Sequence, residues 1–230
     1  MVEHSDCYTA RSNVVGQDEN LKLIRVDKSD ARYPSSLVDC LKDQAPPTVM
    51  AHGNLELLQD KTLALFCSVR CLGMLILRAY DLARALRDAN VAVIGGFHSP
   101  MEQECLALLL RGTQPIIICP ARSIDGMHVP REWQAPLAKG RLLLLSPFEE
   151  RHNRVTTSLA RERNLFVAAL AAEVFVAHAT PSGKMESFAA TALSWGKPLL
   201  TLESEENSGI VALGARPVKP EDYAPLLTDR

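Results

Sequence analysis

The chain has 230 residues, enough for one large α/β domain or for one domain with a small extension, and its folding would bury roughly 70% of the unfolded surface. Apolar residues make up 47% of the chain and charged residues 23%, proportions that favour a soluble enzyme or sensor. The formal net charge of −2 argues against a protein that coats nucleic acid with its whole surface, because phosphate binding needs concentrated lysine and arginine. Any nucleic-acid site is therefore expected to be local.

The start of the chain and its cysteines bear on the cellular compartment. Residues Met1 to Asp6 lack a basic region followed by an apolar stretch, and no run approaches the roughly 18 apolar residues that span a bilayer. Six cysteines are widely spaced and mostly embedded in apolar runs: Cys7, Cys40, Cys67, Cys71, Cys105 and Cys119. This spacing differs from the cysteine framework of a small secreted domain that is stabilised by disulfides. The sequence predicts a cytoplasmic protein with reduced thiols and no membrane contact.

The N-terminal part of the chain divides into two segments. Residues 1–20 are polar and aperiodic, and we expect a disordered tail there. Residues 21–60 contain short strand patterns, a short helix after Pro34, and turns at Pro46-Pro47 and Gly53-Asn54. This segment is predicted to be a small N-terminal extension of the main sheet.

From residue 61 to 218, apolar strand patterns alternate with helical patterns, as in a parallel sheet with crossover helices. The predicted strands are Leu63–Cys67, Val91–Ile94, Pro115–Cys119, Arg141–Leu145, Val174–His178 and Pro198–Leu202. The predicted helices lie near Leu75–Ala89, Pro100–Arg111, Pro130–Lys139, Arg154–Ala172 and Lys184–Trp195. The apolar runs suit strands that are covered on both faces. We predict an α/β fold, with a Rossmann-like, mostly parallel sheet, helices on both faces, and a C-terminal tail at residues 219–230.

Small residues follow the first two strands of this region, at the edge where a parallel sheet leaves helix N–H groups unpaired. Ser68 and Arg70 offer a hydroxyl, N–H groups and a guanidinium to an anion, or they are a helix cap and a surface arginine. Gly95 and Gly96 allow close approach of a ligand. His98 is a candidate acid or base, or a hydrogen-bonding surface residue.

Basic residues gather near the later strand ends. Arg122 follows the Pro115–Cys119 strand and could reach across the edge. The densest basic cluster of the chain comprises Arg151, His152, Arg154, Arg161 and Arg163. It would clamp phosphate if it faced the strand ends, and is otherwise a solvated helix face. After the Val174–His178 strand, Ser182 and Gly183 offer backbone donors and Lys184 a point charge, although the full Gly-rich phosphate-loop pattern is absent.

Two further groups of side chains can be explained by a structural role instead of by ligand or metal binding. The segment Ser99-Pro100-Met101-Glu102 has the pattern of a capping box, which explains Glu102 without a ligand. Several metal-binding residue types fall near predicted strand ends, namely Cys67, Cys71, Cys119, His98 and His178. Because their spacing matches no zinc pattern, we expect packing rather than a metal site, and no cofactor.

These pieces together resemble the DNA-processing protein A (DprA/Smf) family, in the superfamily that also contains the LOG phosphoribohydrolases. The resemblance covers roughly Leu21 to Leu202. The N-terminal part of the family pattern is matched by Tyr33-Pro34-Ser35-Ser36-Leu37, Ala45-Pro46-Pro47 and His52-Gly53. Arg163-Asn164 begins a match to the family's Arg-Asn-Arg helix, and Ser182-Gly183 is similar to its Ser-Gly-Ser turn.

The chain also departs from the family pattern. Cys67-Ser68-Val69 stands where the family usually has Gly-Ser-Arg, with Arg70 one residue later. Leu165 replaces the third residue of Arg-Asn-Arg, and Lys184 the second serine of Ser-Gly-Ser. The family's Ser-Gly-Leu-Ala turn before Gly-Ile-Asp is replaced by Gly95-Gly96-Phe97-His98, and we expect no winged-helix module after the sheet. The pattern predicts a divergent, stand-alone branch.

The resemblance implies a DNA-processing role in recombination. Family members bind single-stranded DNA in a basic pocket, form homodimers and help to load a recombinase. The expected ligand is single-stranded DNA or a nucleotide-type anion, bound at Ser68, Arg70, Gly95, Gly96, His98, Arg122, Arg161, Arg163, Asn164, Ser182, Gly183 and Lys184. The alternatives are a LOG-like nucleotide sensor or phosphoribohydrolase, with Glu102, Glu186 or His98 as acid or base, and an interaction module with a decayed pocket. We expect a protein that binds rather than catalyses.

Overall fold

The computed structural model of the chain describes residues 22–219 and Asp222. Its strands are β1 (Ile24–Asp27), β2 (Thr48–Gly53), β3 (Leu63–Phe66), β4 (Val93–Gly95), β5 (Ile116–Ile118), β6 (Leu142–Ser146), β7 (Glu173–Val176), β8 (Leu199–Leu202) and β9 (Arg216–Val218). Its helices are α1 (Ser35–Leu41), α2 (Gly73–Asp88), α3 (Pro100–Leu110), α4 (Arg131–Ala138), α5 (Thr157–Leu170), α6 (Lys184–Ser194) and α7 (Ser208–Ala212). Short 3₁₀ turns lie at Lys42–Gln44, Leu55–Gln59 and Glu205–Asn207. The predicted tails at residues 1–20 and beyond Lys219 lie outside the described residues, except for Asp222.

All the strands join one sheet in the order β1-β2-β6-β5-β4-β3-β7-β8-β9. The strands from β3 onward are parallel, whereas β1 and β2 pair antiparallel with each other and β2 pairs antiparallel with β6. The chain builds outward from β3 through β4, β5 and β6, then returns to the other side of β3 to add β7, β8 and β9. The topological switch point, where α/β sheets usually bind ligands, therefore lies between β3 and β7.

Both faces of the sheet are covered, which explains the continuous apolar runs of the strands. Along β3, Ala64 and Phe66 face a core that contains residues of α1, α5 and α6, and Leu63 and Leu65 face one that contains residues of α2 and α3. Phe66 also packs edge-to-face on Phe188 of α6, with ring centroids 4.6 Å apart. The predicted Rossmann-like fold, with a mostly parallel sheet and helices on both faces, is confirmed.

The N-terminal segment adds to the sheet through the antiparallel pair β1 and β2, and the family-like residues there have structural roles. The Tyr33 hydroxyl donates a hydrogen bond of 2.6 Å to the Pro46 carbonyl, which joins the Tyr-Pro and Pro-Pro motifs. Gly53, at the end of β2, has a φ of +116°, and a Cβ there would lie 2.5 Å from the Leu142 carbonyl oxygen of β6. This position therefore requires glycine.

Two elements near the C-terminus have no counterpart in the predicted set. Helix α7 is short, and β9 is a three-residue edge strand that contains Pro217 and exposes two of its residues. A short proline-containing strand with one buried residue has little hydrophobic periodicity from which it could be predicted.

Among the described residues, no helix has both the length and the apolarity that crossing a membrane would require.

Candidate functional site

The parallel strands bring many of the predicted site residues to one edge of the sheet. Ser68 follows β3, Gly95 ends β4, Arg122 follows β5 and Lys184 begins the helix after β7. Because these strands are parallel, their carboxyl ends lie along the same edge. We call this the carboxyl edge.

The Ser68 side chain joins the two strands of the switch point. The Ser68 N–H donates to the His178 carbonyl at 2.9 Å, which continues the β3 and β7 pairing. The Thr180 N–H donates to Ser68 Oγ at 3.1 Å. Ser68 therefore fixes the loop between β7 and α6 beside the end of β3.

The N-terminus of α6 has donors that no side chain caps. Ser182 has a φ of +54°, and its N–H donates to Glu186 Oε2 at 2.7 Å. Gly183 is the N-cap residue and supplies no side-chain cap. Helix geometry leaves the first N–H groups without intrahelical acceptors and places partial positive charge at this end. With the exposed Lys184 ammonium, this turn is suited to an anion.

Arg163 is buried at the ends of β4 and β5, with 3% of its surface exposed. Its Nη1 donates to the Cys119 carbonyl at 3.0 Å, and its Nε donates to Asn164 Oδ1 at 2.8 Å. A Cβ at Gly96 would lie 1.3 Å from Nη1, so the guanidinium occupies the space above this glycine. Burial lowers the pKa of Arg163, while the negative charge of Glu102 opposes that shift. A guanidinium nevertheless stays protonated in proteins.

Glu102 lies beside the ends of β3 and β4, and 5% of its surface is exposed. Its Oε1 accepts from the Cys67 N–H at 2.8 Å, and its Oε2 accepts from the His98 and Ser99 N–H groups at 2.8 and 3.1 Å. The Ser99 hydroxyl accepts in turn from the Glu102 N–H, so the predicted capping box is confirmed. The carboxylate thus joins the end of β3 to the start of α3. Its negative charge opposes the lowering of the Arg163 pKa.

The remaining predicted residues differ in their accessibility. Arg70 and the His98 side chain are exposed at the carboxyl edge, and Asn164 is half-buried. Arg161 is exposed on α5, two residues before Arg163. Two residues correspond to about 200° of helix rotation, so Arg161 faces away from the side of α5 that carries Arg163.

Arg122 lies farther along the carboxyl edge, in a cleft of 510 Å³ beyond β5 and β6. The cleft is lined by Arg122, Asp125, Gly126, Glu150, Asn153 and Arg154. A hydrogen bond with Asp125 raises the pKa of the exposed Glu150 carboxyl. The cleft therefore combines two guanidinium groups with two neighbouring acids.

The sequence patterns did not predict the hydrogen-bond network around His178. Asn207, which is fully buried, donates through Nδ2 to the Ala177 and Leu202 carbonyls at 3.0 and 2.9 Å. Its Oδ1 must then accept from His178 Nδ1, 3.0 Å away, which fixes the neutral imidazole as the Nδ1–H tautomer. Asn207 precedes the unpredicted α7, and no local pattern relates it to a histidine 29 residues earlier. Between residues 22 and 219, no group of three or more His, Cys, Asp or Glu side chains is arranged to hold a metal ion.

Comparison with known proteins supports the family inferred from the motifs. The profile of a family described as DNA recombination-mediator protein A matches residues 25–219. DNA processing protein A from Streptococcus pneumoniae has a similar structure, with a TM-score of 0.73 at 18% identity over 89% of this chain and 74% of that chain. DNA processing protein A from Helicobacter pylori, whose structure describes a single-stranded DNA binding mode, gives a TM-score of 0.72 at 20% identity over 91% of this chain and 97% of that chain.

The two structural similarities establish a shared fold. A search of curated proteins finds no match. The family profile covers most of the chain, and its range includes the Tyr-Pro motif, the switch point and the Arg163 helix. The predicted family is therefore confirmed: this chain belongs to the DNA recombination-mediator protein A family, also called DNA processing protein A.

Proposed function

We propose that the carboxyl edge binds single-stranded DNA through its phosphates, in a recombination-mediator role. The family supports this role, as does the single-stranded DNA binding described for the H. pylori protein. With a formal net charge of −2, this chain attracts DNA locally rather than over its whole surface.

The observation that carries the proposal is the uncapped N-terminus of α6 at the switch point. Free N–H groups, the helix dipole and the Lys184 ammonium act on the same small volume, beside Ser68. Arg70 follows Ser68 and adds an exposed guanidinium. Arg122 extends this path along the carboxyl edge, while the buried Arg163 positions the strand ends beneath it.

The contacts of the two glutamates favour binding over catalysis. Glu102 accepts three backbone hydrogen bonds, and one oxygen of Glu186 accepts the Ser182 N–H. These hydrogen bonds give both glutamates a structural role, Glu102 at the ends of β3 and β4 and Glu186 at the N-terminus of α6. The exposed His98 is the remaining candidate acid or base, and no cofactor enters the proposed function.

The test is a fluorescence anisotropy titration of a labelled oligothymidylate at several salt concentrations. Arg70, Arg122 and Lys184 are the cations expected to contact phosphates, and each contact on a single strand contributes a slope of about −0.7 in log affinity against log salt. Together they give a slope of about −2, or a roughly 20-fold loss of affinity between about 50 and 200 mM salt.

Single variants distinguish binding at the carboxyl edge from nonspecific binding elsewhere on the surface. Lys184→Ala and Arg70→Ala should each weaken binding and reduce the slope by about 0.7. Lys61→Ala and Arg111→Ala are matched controls, because these exposed residues precede β3 and follow α3 at the opposite edge of the sheet. Equal effects in all four variants would contradict the proposed site.

A mononucleotide tests the alternative function. Saturable thermal stabilisation by nucleoside monophosphates, without oligonucleotide binding, would favour a nucleotide sensor. Release of free base would favour a phosphoribohydrolase.

Family membership also leads us to propose a cytoplasmic homodimer that interacts with a recombinase. Light scattering coupled to size exclusion, and co-elution with a recombinase on single-stranded DNA, test these two assemblies.

A further inference from the structure

A turn beside Arg122 contains an aspartate followed by a glycine, a pair that occurs once in the sequence. The Met127 N–H donates to the Ile124 carbonyl at 3.2 Å, which closes the turn and leaves Asp125 and Gly126 at its centre. Gly126 is exposed and has a φ of +60°, and Asp125 is half-buried. Both residues line the cleft that contains Arg122, so solvent reaches the pair.

The backbone nitrogen of Gly126 is free to react. The Asp125 N–H donates to Ser123 Oγ at 3.1 Å and the Met127 N–H closes the turn, whereas the Gly126 N–H makes no hydrogen bond to any residue that the structure describes. A Cβ built on Gly126 would meet nothing within 4 Å. Reaction at this nitrogen therefore breaks no hydrogen bond, and the space beside the glycine is open.

Other aspartates lack these features. An aspartate side chain reaches the next backbone nitrogen only after the main chain rotates, and glycine permits rotations that a residue with a Cβ resists. Asp27 is followed by Lys28, whose N–H donates to the Pro47 carbonyl at 2.9 Å. Asp88 is followed by Ala89, whose N–H is bonded to the last turn of α2. In both pairs the following nitrogen is bonded and the following residue has a side chain.

We propose that Asp125 is a site of spontaneous modification, at which the aspartate converts to isoaspartate through a succinimide. The reaction needs only water. Isoaspartate places one extra carbon in the main chain, so the modification changes the turn beside Arg122. This inference goes beyond the proposed function, because the reaction does not involve DNA.

The reaction balances as a condensation followed by a hydrolysis. The Gly126 nitrogen attacks Cγ of Asp125, a C–N bond forms, and the nitrogen proton and the carboxyl OH leave as water. The product is a cyclic imide, and water then adds to one of its two carbonyls. Addition at Cγ restores aspartate. Addition at the main-chain carbonyl breaks its C–N bond, leaves the Cγ–N bond as the chain link and frees the α-carboxylate of isoaspartate.

The test is incubation of the intact chain at physiological temperature and mildly acidic pH, which favours loss of the carboxyl OH as water. A synthetic peptide with the sequence of residues 121–131 is the reference, and incubation continues until this peptide has formed isoaspartate. Digests are analysed by mass spectrometry and by labelling with a protein isoaspartate methyltransferase. We expect the Asp125 peptide of the intact chain to give two species of equal mass, one of which accepts a methyl group. An intact chain that stays unmodified after the synthetic peptide has converted would overturn the proposal.

Two variants assign the modification to its residue. Asp125→Glu should lose the methyl-accepting species, because glutamate would have to close a larger ring. Asp60→Glu is the matched control, since Asp60 is exposed and is followed by Lys61, and it should form as much isoaspartate as the wild type. An unchanged yield of isoaspartate in Asp125→Glu would also contradict the proposal.

Discussion

Replacing Gly96 with alanine tests whether the buried Arg163 guanidinium holds the strand ends together. The new Cβ would lie 1.3 Å from Nη1 and 1.8 Å from Cζ, so the guanidinium must move. It then loses its hydrogen bonds to the Cys119 carbonyl and to Asn164. Each hydrogen bond from a charged group contributes about 1.5 to 3 kcal/mol, so we expect a loss of roughly 3 kcal/mol in the free energy of unfolding.

The assay is urea denaturation of a double-mutant cycle. With a slope of about 3 kcal/mol per M, Gly96→Ala should lower the urea midpoint by about 1 M. In an Arg163→Ala background the guanidinium is absent, so the same replacement should cost less than about 1 kcal/mol. Gly96 is outside the positive-φ glycines, and alanine can adopt its backbone conformation.

Gly73→Ala is the matched control. A Cβ there meets nothing within 4 Å, and its φ is also outside the positive range. Because Gly73 begins α2, alanine should leave stability unchanged or raise it slightly. An equal loss from Gly96→Ala with and without Arg163 would refute the reasoning.

Three further predictions concern Glu102, Asn207 and Cys71. Glu102→Gln should lower the free energy of unfolding by about 2 kcal/mol in a urea titration, because an amide NH₂ would face a backbone N–H, and an unchanged midpoint would contradict this. Asn207→Ala should cost about 2 to 3 kcal/mol by the same measurement, since it leaves two buried carbonyls unpaired, and a loss below about 0.5 kcal/mol would rule out that role. A lowered pKa means more thiolate at a given pH, so iodoacetamide should label Cys71 at a lower pH than Cys40, whose pKa is raised by burial; labelling of both cysteines at the same pH would contradict this order.

Local patterns in the sequence account for much of the fold. The apolar run Leu63–Phe66 predicts a strand that is buried on both faces, and β3 has this character. The segment Ser99 to Glu102 predicts a capping box, which forms as expected. These features were predictable because strand burial and helix caps depend on residues a few positions apart.

The sequence did not show which arginines of the basic cluster are buried and which are exposed. Arg163 belongs to the densest basic cluster of the chain, and a cluster of that kind is equally compatible with a solvated helix face. The structure buries Arg163 and exposes Arg161, because rotation about α5 places one toward the sheet and the other away from it. Helical periodicity gives this separation, but which side meets the sheet depends on packing.

The sequence by itself determined the Rossmann-like class, the approximate bounds of the major elements and the family motifs, and it led to the prediction of a ligand site at the strand ends. Only the tertiary structure decided the strand order, and with it the switch point between β3 and β7. It also decided the pairing of Ser68 with Thr180, 112 residues apart, and of His178 with Asn207. The physical reason is that periodicity and capping are properties of neighbouring residues, whereas these contacts arise from strand register and from the packing of helices that are distant in sequence.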